Sequence, residues 1–201
     1  MSRPRVKICG VTRVEDAELA VELGADFLGL NFYPASPRCL DLDAARRIAK
    51  AVGDRVRLVG VTVNAGVRRI EEILPLVELI QFHGEEGPET LRPWAERAIK
   101  VLRPEADELD PAARYPDVWG FLLEPRRPGH GGSGKPWDYA SAARPATDRP
   151  VFLAGGIDPG NVSAAAAGAW GVDVCSGVES KPGVKDAALM KQLFSKLRDV
   201  S

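Results

Sequence analysis

A single cysteine stands at the end of the first apolar run of the sequence, in the stretch RVKICGVTR at 5–13. A buried cysteine mostly behaves as a small apolar side chain. A cysteine at the exposed tip of a strand can instead be a base or a nucleophile, because suitable surroundings turn its thiol into a thiolate. Cys9 is therefore a candidate catalytic residue, and the remainder of the chain has to decide between the two interpretations.

A carboxyl group and an imidazole end two later apolar runs. Glu124 closes GFLLE and is followed by Pro125. A carboxyl at a strand end can act as a general acid if burial raises its pKa, whereas an exposed loop glutamate would do no chemistry. His83 follows ELIQF, where it could donate a hydrogen bond to a substrate or cap the end of the strand. Both residues stay candidates at this point.

Two further charged residues lie in positions that favour a function. Arg38 ends the proline-stiffened loop FYPASPR at 32–38, and a rigid loop can aim a guanidinium at a carboxylate. The alternative for Arg38 is a solvated surface arginine. Asp173 lies inside an apolar run, where a charge needs a partner. We therefore predict that Asp173 faces a cavity from within the fold.

Two glycine-containing turns follow the last two apolar runs, in LAGGIDPGN at 153–161 and VCSGVES at 174–180. Glycine lets backbone N–H groups approach an anion closely, and helix N-termini add partial positive charge. The alternative is a pair of tight turns in which glycine only supplies a positive φ. The candidate phosphate-binding residues are Gly155, Gly156, Ser176 and Gly177.

A third glycine-rich stretch, GHGGSGKP at 129–136, resembles a nucleotide-binding loop in part. It matches GxxxxGK, but Pro136 stands where a Ser or Thr would hold Mg²⁺. We interpret it as a loop over the mouth of a site, with Lys135 reaching a substrate, or as a solvated loop.

Eight short, mostly apolar runs alternate with amphipathic segments, which is typical of parallel strands buried on both faces. Eight units over 201 residues give about 25 residues each, which predicts a single-domain α/β fold, a (β/α)₈ TIM barrel over 1–201. An open doubly wound sheet would show a longer first unit and one dominant nucleotide loop. The predicted strands span 5–8, 26–30, 57–63, 78–82, 98–102, 120–124, 151–155 and 172–176.

Three predicted helices carry end signals. Gly24 and Gly53 each follow an amphipathic segment and are expected to end a helix. Asp158 and Pro159 are expected to begin another, as N-cap and first helical residue. Since chemistry in such barrels lies at the C-terminal ends of the strands, all the candidates above are predicted to meet at one rim.

Composition excludes several classes of function. The formal net charge is −1, with 27 basic against 28 acidic residues, and no basic run suggests nucleic acid. The N-terminal stretch lacks the apolar segment of a signal peptide, and no apolar stretch is long enough to span a membrane. Three scattered cysteines and two histidines fit neither a disulfide framework nor a metal site. We expect a reduced, cytoplasmic protein that binds neither nucleic acid nor membrane.

The order of these stretches resembles that of the phosphoribosylanthranilate isomerases of tryptophan biosynthesis over nearly the whole length. The resemblance is carried by VKICGVTR, GLNFYPASPR, LVGVTVN, IQFHGEE, LAGGIDPGNV and VDVCSGVESKPGVKD. It implies an Amadori rearrangement of 5-phosphoribose linked to anthranilate, without a cofactor or a metal. An acid protonates the ring oxygen, the ring opens, and a base removes the proton on C2 to give an enolamine that becomes the ketone.

The resemblance also implies roles for residues of this chain. Cys9 would be the general base, in a site that favours its thiolate. Glu124 would be the general acid, where the family normally has an aspartate. Arg38 would bind the anthranilate carboxylate. From their positions alone, His83 and Asp173 are further candidates for binding substrate. The two glycine turns would bind the phosphate.

The extra methylene of Glu124 leaves two alternatives open, because catalytic geometry tolerates little displacement. The chain could be a barrel that binds a phosphorylated ligand without turning it over, or one with a redirected activity. It could also be the related aminoaldose-phosphate isomerase of histidine biosynthesis, but that group uses an aspartate where this chain has Cys9. The expected partner is a small phosphorylated substrate, and the expected state is a monomer or a homodimer.

Overall fold

Eight parallel strands close into a barrel, which confirms the predicted fold. The computed structural model describes residues 3–103, 111–125, 139 and 147–198. Each strand pairs with the next in chain order, and β8 pairs with β1 to close the sheet. The strands are β1 Arg5–Cys9, β2 Phe27–Asn31, β3 Arg57–Thr62, β4 Leu79–Phe82, β5 Ala98–Leu102, β6 Gly120–Leu123, β7 Val151–Leu153 and β8 Gly171–Val174.

Helices follow the strands as a βα repeat requires. They are α1 Val14–Leu23, α2 Leu42–Val52, α3 Val67–Ile73, α4 Pro88–Leu91, α5 Pro111–Arg114, α6 Val162–Ala166 and α7 Ala187–Arg198. Short 3₁₀ turns span Gly53–Arg55, Leu74–Leu76, Arg92–Arg97 and Ser176–Val178. A small antiparallel pair, β9 Glu179–Lys181 and β10 Val184–Lys185, lies between β8 and α7. Most of the connection from β6 to β7, including Lys135, lies outside the described residues.

Two of the three predicted helix ends are confirmed. Gly24 ends α1 with a φ of 99°, and its N–H donates to carbonyls of the last turn. Gly53 follows α2 with a φ of 57°. The predicted start at Asp158 is wrong, because α6 begins at Val162. Asp158 accepts from the N–H of Gly160 at 2.7 Å, and this local hydrogen bond holds the stretch in a turn instead of a helix.

The interior of the barrel combines an apolar layer with one buried ion pair. Lys7 Nζ donates to Asp173 Oδ1 at 2.7 Å, and Lys7 is fully buried. Burial alone would lower the pKa of Lys7, but the Asp173 carboxylate overcomes this and raises it. Asp173 therefore has the partner that its place in an apolar strand requires. The apolar layer comprises Phe27, Val59, Leu79, Ile99, Val101, Leu122, Phe152 and Ala154.

Candidate active site

One cavity of about 420 Å³ opens at the C-terminal ends of the strands. Its volume lies in the range of small-molecule sites. Eight of the nine predicted site residues line it, and the ninth, Gly177, lies directly beside it. The eight are Cys9, Arg38, His83, Glu124, Gly155, Gly156, Asp173 and Ser176.

Cys9 ends β1 at the wall of this cavity and is 8 % exposed. Gly10 follows with a φ of 68°, and a Cβ there would lie 2.5 Å from Arg38 Cδ and 3.1 Å from Cys175 Sγ. Glycine therefore permits the chain to turn while three side chains converge. The neighbouring Cys175 thiol, burial and the Asp173 charge raise the pKa of Cys9 well above its ordinary value. The expectation that the unliganded site favours a Cys9 thiolate is wrong.

Cys175 follows β8 and lines the same cavity. The neighbouring Cys9 thiol and the charges of Lys185 and Arg38 lower the pKa of Cys175 to about 7. The site thus contains two thiols at the ends of neighbouring strands, Cys9 on β1 and Cys175 after β8.

A buried charge network holds Arg38 in place. Arg38 Nε and Nη2 donate to the carboxylate of Glu179 at 2.9 and 2.6 Å. Lys185 Nζ donates to the same carboxylate at 3.0 Å, and also to the backbone carbonyls of Cys9 at 2.6 Å and Cys175 at 3.2 Å. Burial alone would raise the pKa of Glu179, but these two cations lower it. The carboxylate is therefore ionised and fixes the arginine at the rim.

Glu124 is buried between an imidazole and a guanidinium. His83 Nε2 lies 3.0 Å from Glu124 Oε1, and Arg103 Nε donates to the same oxygen at 2.8 Å. Burial alone would raise the pKa of Glu124, but His83 and Arg103 hold it below its usual range. No hydrogen bond reaches Oε2 from the part of the chain that the structure describes. Burial therefore does not by itself set the pKa of this carboxyl.

Gln81 positions the imidazole from the other side, since its Nε2 lies 2.9 Å from His83 Nδ1. In this orientation Nδ1 accepts, and Nε2 of His83 donates to Glu124. Gln81 Oε1 is buried and has no hydrogen-bond partner within the described residues. Turning the amide over would place that oxygen against Nδ1 and would permit His83 to carry both protons.

The two glycine turns pack against each other. Gly155 and Gly156 have φ values of 94° and 75°, and a Cβ on Gly155 would collide with Pro125. A Cβ on Gly177 would collide with the carbonyl oxygen of Ile157. Because Gly177 has no side chain, the two turns can lie close together. Its neighbour Ser176 lines the cavity.

Sequence reasoning missed four functional candidates: Gln81, Arg103, Glu179 and Lys185. Gln81 shares a strand face with His83, and this alternation was a usable signal. Arg103, Glu179 and Lys185 follow strands or lie in a hairpin, where only tertiary contacts assign them a partner. The described residues contain no group of three or more metal-ligating side chains. None of the described helices has the length and hydropathy to cross a membrane.

The fold and the site define a (β/α)₈-barrel protein with thiol, carboxyl and guanidinium groups around one small-molecule cavity. A family model described as N-(5'phosphoribosyl)anthranilate (PRA) isomerase matches residues 6–196. An N-(5'-phosphoribosyl)anthranilate isomerase of Myxococcus xanthus is 42 % identical, with 98 % of this chain and 97 % of the relative covered. The chain belongs to the N-(5'-phosphoribosyl)anthranilate isomerase family.

Solved structures of the family agree with this assignment. Phosphoribosyl anthranilate isomerase from Thermus thermophilus is 38 % identical to this chain, with a TM-score of 0.88. The match covers 98 % of this chain and 100 % of that one. A second isomerase structure is 33 % identical to this chain, with a TM-score of 0.80, and the match covers 97 % of this chain and 98 % of that one. It is a complex with reduced 1-(o-carboxyphenylamino)-1-deoxyribulose 5-phosphate.

Proposed function

We propose that this chain isomerises N-(5'-phosphoribosyl)anthranilate to 1-(2-carboxyphenylamino)-1-deoxyribulose 5-phosphate, with Cys9 as general base and Glu124 as general acid. The observation that carries these roles is that Cys9 and Glu124 line one cavity from β1 and from the end of β6. General acid–base catalysis needs both groups within reach of one bound substrate. Family membership supports the reaction, and the geometry supports the two residues.

The reaction balances within the substrate and the two side chains. The acid gives a proton to the furanose ring oxygen, the C1–O bond breaks, and the nitrogen lone pair forms a C1=N bond. The Cys9 thiolate then takes the proton on C2, the C–H electrons form a C1=C2 double bond, and the C1=N electrons return to nitrogen, which gives the enolamine. Cys9 returns a proton to C1, and the C2 hydroxyl gives its proton to the Glu124 carboxylate, which yields the ketone and restores both side chains.

Glu124 delivers its proton from Oε2, because His83 and Arg103 both occupy Oε1. The lowered pKa of Glu124 makes the protonated carboxyl a strong acid that is rarely populated. The hydrogen bond between Glu124 and His83 lets these two side chains share the proton that is given to the substrate. The contacts of His83 and Arg103 with Oε1 accommodate the glutamate side chain, which is one methylene longer than that of aspartate.

The remaining candidates bind the charged ends of the substrate and its sugar hydroxyls. Arg38, which Glu179 already orients, binds the anthranilate carboxylate. Backbone N–H groups of Gly155, Gly156 and Ser176 bind the phosphate, and Gly177 keeps the two turns together. His83 and Asp173 bind the sugar hydroxyls from the wall of the cavity.

A turnover assay with freshly generated phosphoribosylanthranilate, followed by loss of fluorescence, tests the proposal. We expect turnover in the parent protein and in Cys39→Ala, since Cys39 is exposed and outside the cavity. We expect Cys9→Ala and Glu124→Gln to lose at least about 100-fold, a typical general acid–base contribution. Glu89→Gln, at an exposed glutamate outside the cavity, is the matched control for Glu124.

Absence of turnover in the parent, with phosphate binding intact, would instead support a barrel that binds its ligand without converting it. Full activity in Cys9→Ala would remove Cys9 from the mechanism. A monomeric or homodimeric state and a cytoplasmic location stay predictions, and sedimentation of the purified protein measures the first.

A further inference from the structure

We infer that Lys185 gives this site its preference for a substrate that carries a carboxylate, because it supplies the excess positive charge of the ionic cluster around Arg38. Lys185 is a positioning residue: it acts through Glu179, which holds Arg38. This inference rests on the proposed binding of the anthranilate carboxylate by Arg38. It assigns a function to a buried cation that the acid–base scheme above does not use.

The Lys185 ammonium has no N–H group left for a substrate. An ammonium has three donors, and Nζ donates to Glu179 Oε1 at 3.0 Å and to the backbone carbonyls of Cys9 and Cys175 at 2.6 and 3.2 Å. The Lys185 side chain is fully buried. Lys185 therefore influences a ligand through its charge and through Glu179, without contacting the ligand.

Arg38, in contrast, keeps donors for a ligand. A guanidinium has five N–H groups, and Glu179 accepts from those on Nε and Nη2. Nη1 donates to no group in the part of the chain that the structure describes, and Arg38 lines the cavity. A ligand carboxylate can therefore bind Arg38 without displacing Glu179.

The cluster of Arg38, Lys185 and Glu179 contains two cations and one carboxylate, so its net charge is +1. The side chains of Lys185 and Glu179 are 0 % and 4 % exposed, and buried charges are screened little by salt. A ligand carboxylate would bring the cluster to two cations and two anions. Without Lys185, Arg38 and Glu179 would already neutralise each other, and the cluster would have no positive charge in excess.

The other two carboxylates of the cavity wall each have a cationic partner. Asp173 accepts from Lys7 at 2.7 Å, and Glu124 accepts from Arg103 at 2.8 Å. These pairs add no net positive charge to the cavity. The excess cation therefore lies beside Arg38, and a carboxylate is the ligand group that this part of the site favours.

The substitution Lys185→Met removes the charge and leaves the main-chain contacts of the β9–β10 hairpin in place. The N–H of Lys185 donates to Asp16 Oδ2 at 3.0 Å, and Thr12 Oγ1 donates to the carbonyl of Gly183. Neither contact involves the Lys185 side chain. Methionine is unbranched and adapts to the space of the lysine stem. We therefore expect the variant to fold, with a lower unfolding free energy than the parent.

The test uses two ligands that differ only in the carboxylate: the products of reductive amination of ribose 5-phosphate with anthranilate and with aniline. Calorimetric titration gives the ratio of their Kd values for each protein. We expect the parent to bind the anthranilate product more tightly. Lys185→Met should reduce this preference about tenfold, the scale of one charge acting over several ångströms in a partly buried site. An unchanged ratio, or a parent without the preference, would overturn the inference.

Lys100→Met is the matched control, because it removes another buried lysine with the same kinds of partner. Lys100 Nζ donates to the carbonyl of Gly84 at 2.7 Å and to Glu86 at 3.2 Å, and Lys100 lies outside the cavity. This variant should lower the unfolding free energy and leave the Kd ratio unchanged. An equal fall of the ratio in both variants would assign the effect to stability and overturn the inference.

A second comparison does not need Lys185→Met to fold by itself. In a Glu179→Gln background no buried carboxylate is left in the cluster, and Lys185→Met should again lower the Kd ratio relative to Glu179→Gln alone. Equal ratios in these two proteins would overturn the inference. If the parent shows the preference and Lys185→Met loses it while the parent shows no turnover, the proposed reaction fails and the role of Lys185 stands.

Discussion

Arg38 and Glu179 form a two-point ion pair, with Nε 2.9 Å from Oε1 and Nη2 2.6 Å from Oε2. The Glu179 side chain is 4 % exposed, so the pair is shielded from solvent. A guanidinium held at two points loses little freedom when it binds a second carboxylate. Arg38 is therefore held in its binding position at the rim before substrate binds.

The Glu179→Gln variant should lower substrate affinity and stability together. It leaves the cations of Arg38 and Lys185 without their shared anion, and breaking a buried pair costs about 3–5 kcal/mol of unfolding free energy. We expect KM to rise more than kcat falls. Steady-state kinetics and urea unfolding measure the two effects, with Glu89→Gln, from an exposed pair with Arg92, as the control. Unchanged KM would contradict the presetting of Arg38.

Shortening the acid should impair the chemistry more than the binding. In Glu124→Asp the carboxyl retreats from His83 and Arg103, and a displacement of ~1 Å can cost about 100-fold in rate. We expect kcat to fall by roughly 10- to 100-fold with KM little changed. Glu72→Asp is the control, since Glu72 is exposed and lies outside the cavity. A kcat equal to that of the parent would show that the loop after β6 adjusts to either carboxyl.

Acid destabilisation should depend on Arg103. The folded pKa of Glu124 lies below its ordinary value, so the stability this carboxyl contributes is complete above the ordinary value and is lost as the pH falls through the folded one. Arg103→Leu removes one cause of the lowering. The variant should then lose less unfolding free energy than the parent between pH 7 and pH 3.

Urea unfolding at both pH values measures the difference. Arg92→Leu, from the exposed pair with Glu89, should lose as much unfolding free energy as the parent does. An equal loss in Arg103→Leu would remove Arg103 from the causes of the Glu124 shift.

The effects of Lys7 and Asp173 substitutions on the unfolding free energy should be strongly coupled. Lys7→Met leaves a buried carboxylate and Asp173→Asn leaves a buried ammonium, and each should cost about 3–5 kcal/mol. The double variant should cost clearly less than the sum of the two, because neither charge is then unpaired. Chemical denaturation of all four proteins gives the coupling energy. Additive losses would mean that the two groups do not interact.

The contact between the glycine turns should tolerate no side chain. Gly177→Ala places a methyl against the Ile157 carbonyl, and Gly155→Ala adds strain at a φ of 94°. We expect each to cost about 1–3 kcal/mol and to weaken inhibition by inorganic phosphate. Gly66→Ala, where a Cβ meets nothing within 4 Å, is the control. Normal phosphate inhibition in Gly177→Ala would separate this turn from phosphate binding.

The sequence predicted the barrel well because its evidence is repeated eight times. Each apolar run and each glycine at a helix end is a local signal, and the order of the runs fixes a parallel closed sheet. The strand ends were less accurate: β7 ends at Leu153 and β8 at Val174, before the glycine turns that the predicted strands included.

The sequence predicted individual site residues but not their partners. Cys9, Arg38 and Glu124 stand at strand ends or in a stiff loop, which position alone reveals. The pairing of Arg38 with Glu179 spans 141 residues, and no local pattern encodes it. Cys175 reaches the cavity because it lies two residues after Asp173, on the same side of the chain. The direction of the Glu124 pKa shift required Arg103, whose side chain the sequence does not place.

The bridge from Lys185 to the carbonyl of Cys9 joins residues 176 positions apart. A nascent chain presents its amino-terminal strand first, and that strand stays unpaired on one edge until β8 and the following hairpin leave the ribosome. Formation of this bond is a long-range closure of high contact order, and such closures come late in folding. Cys9, the proposed base, is therefore among the first residues to be synthesised and among the last to reach its final surroundings, so we expect translation of a truncated message to yield no complete site.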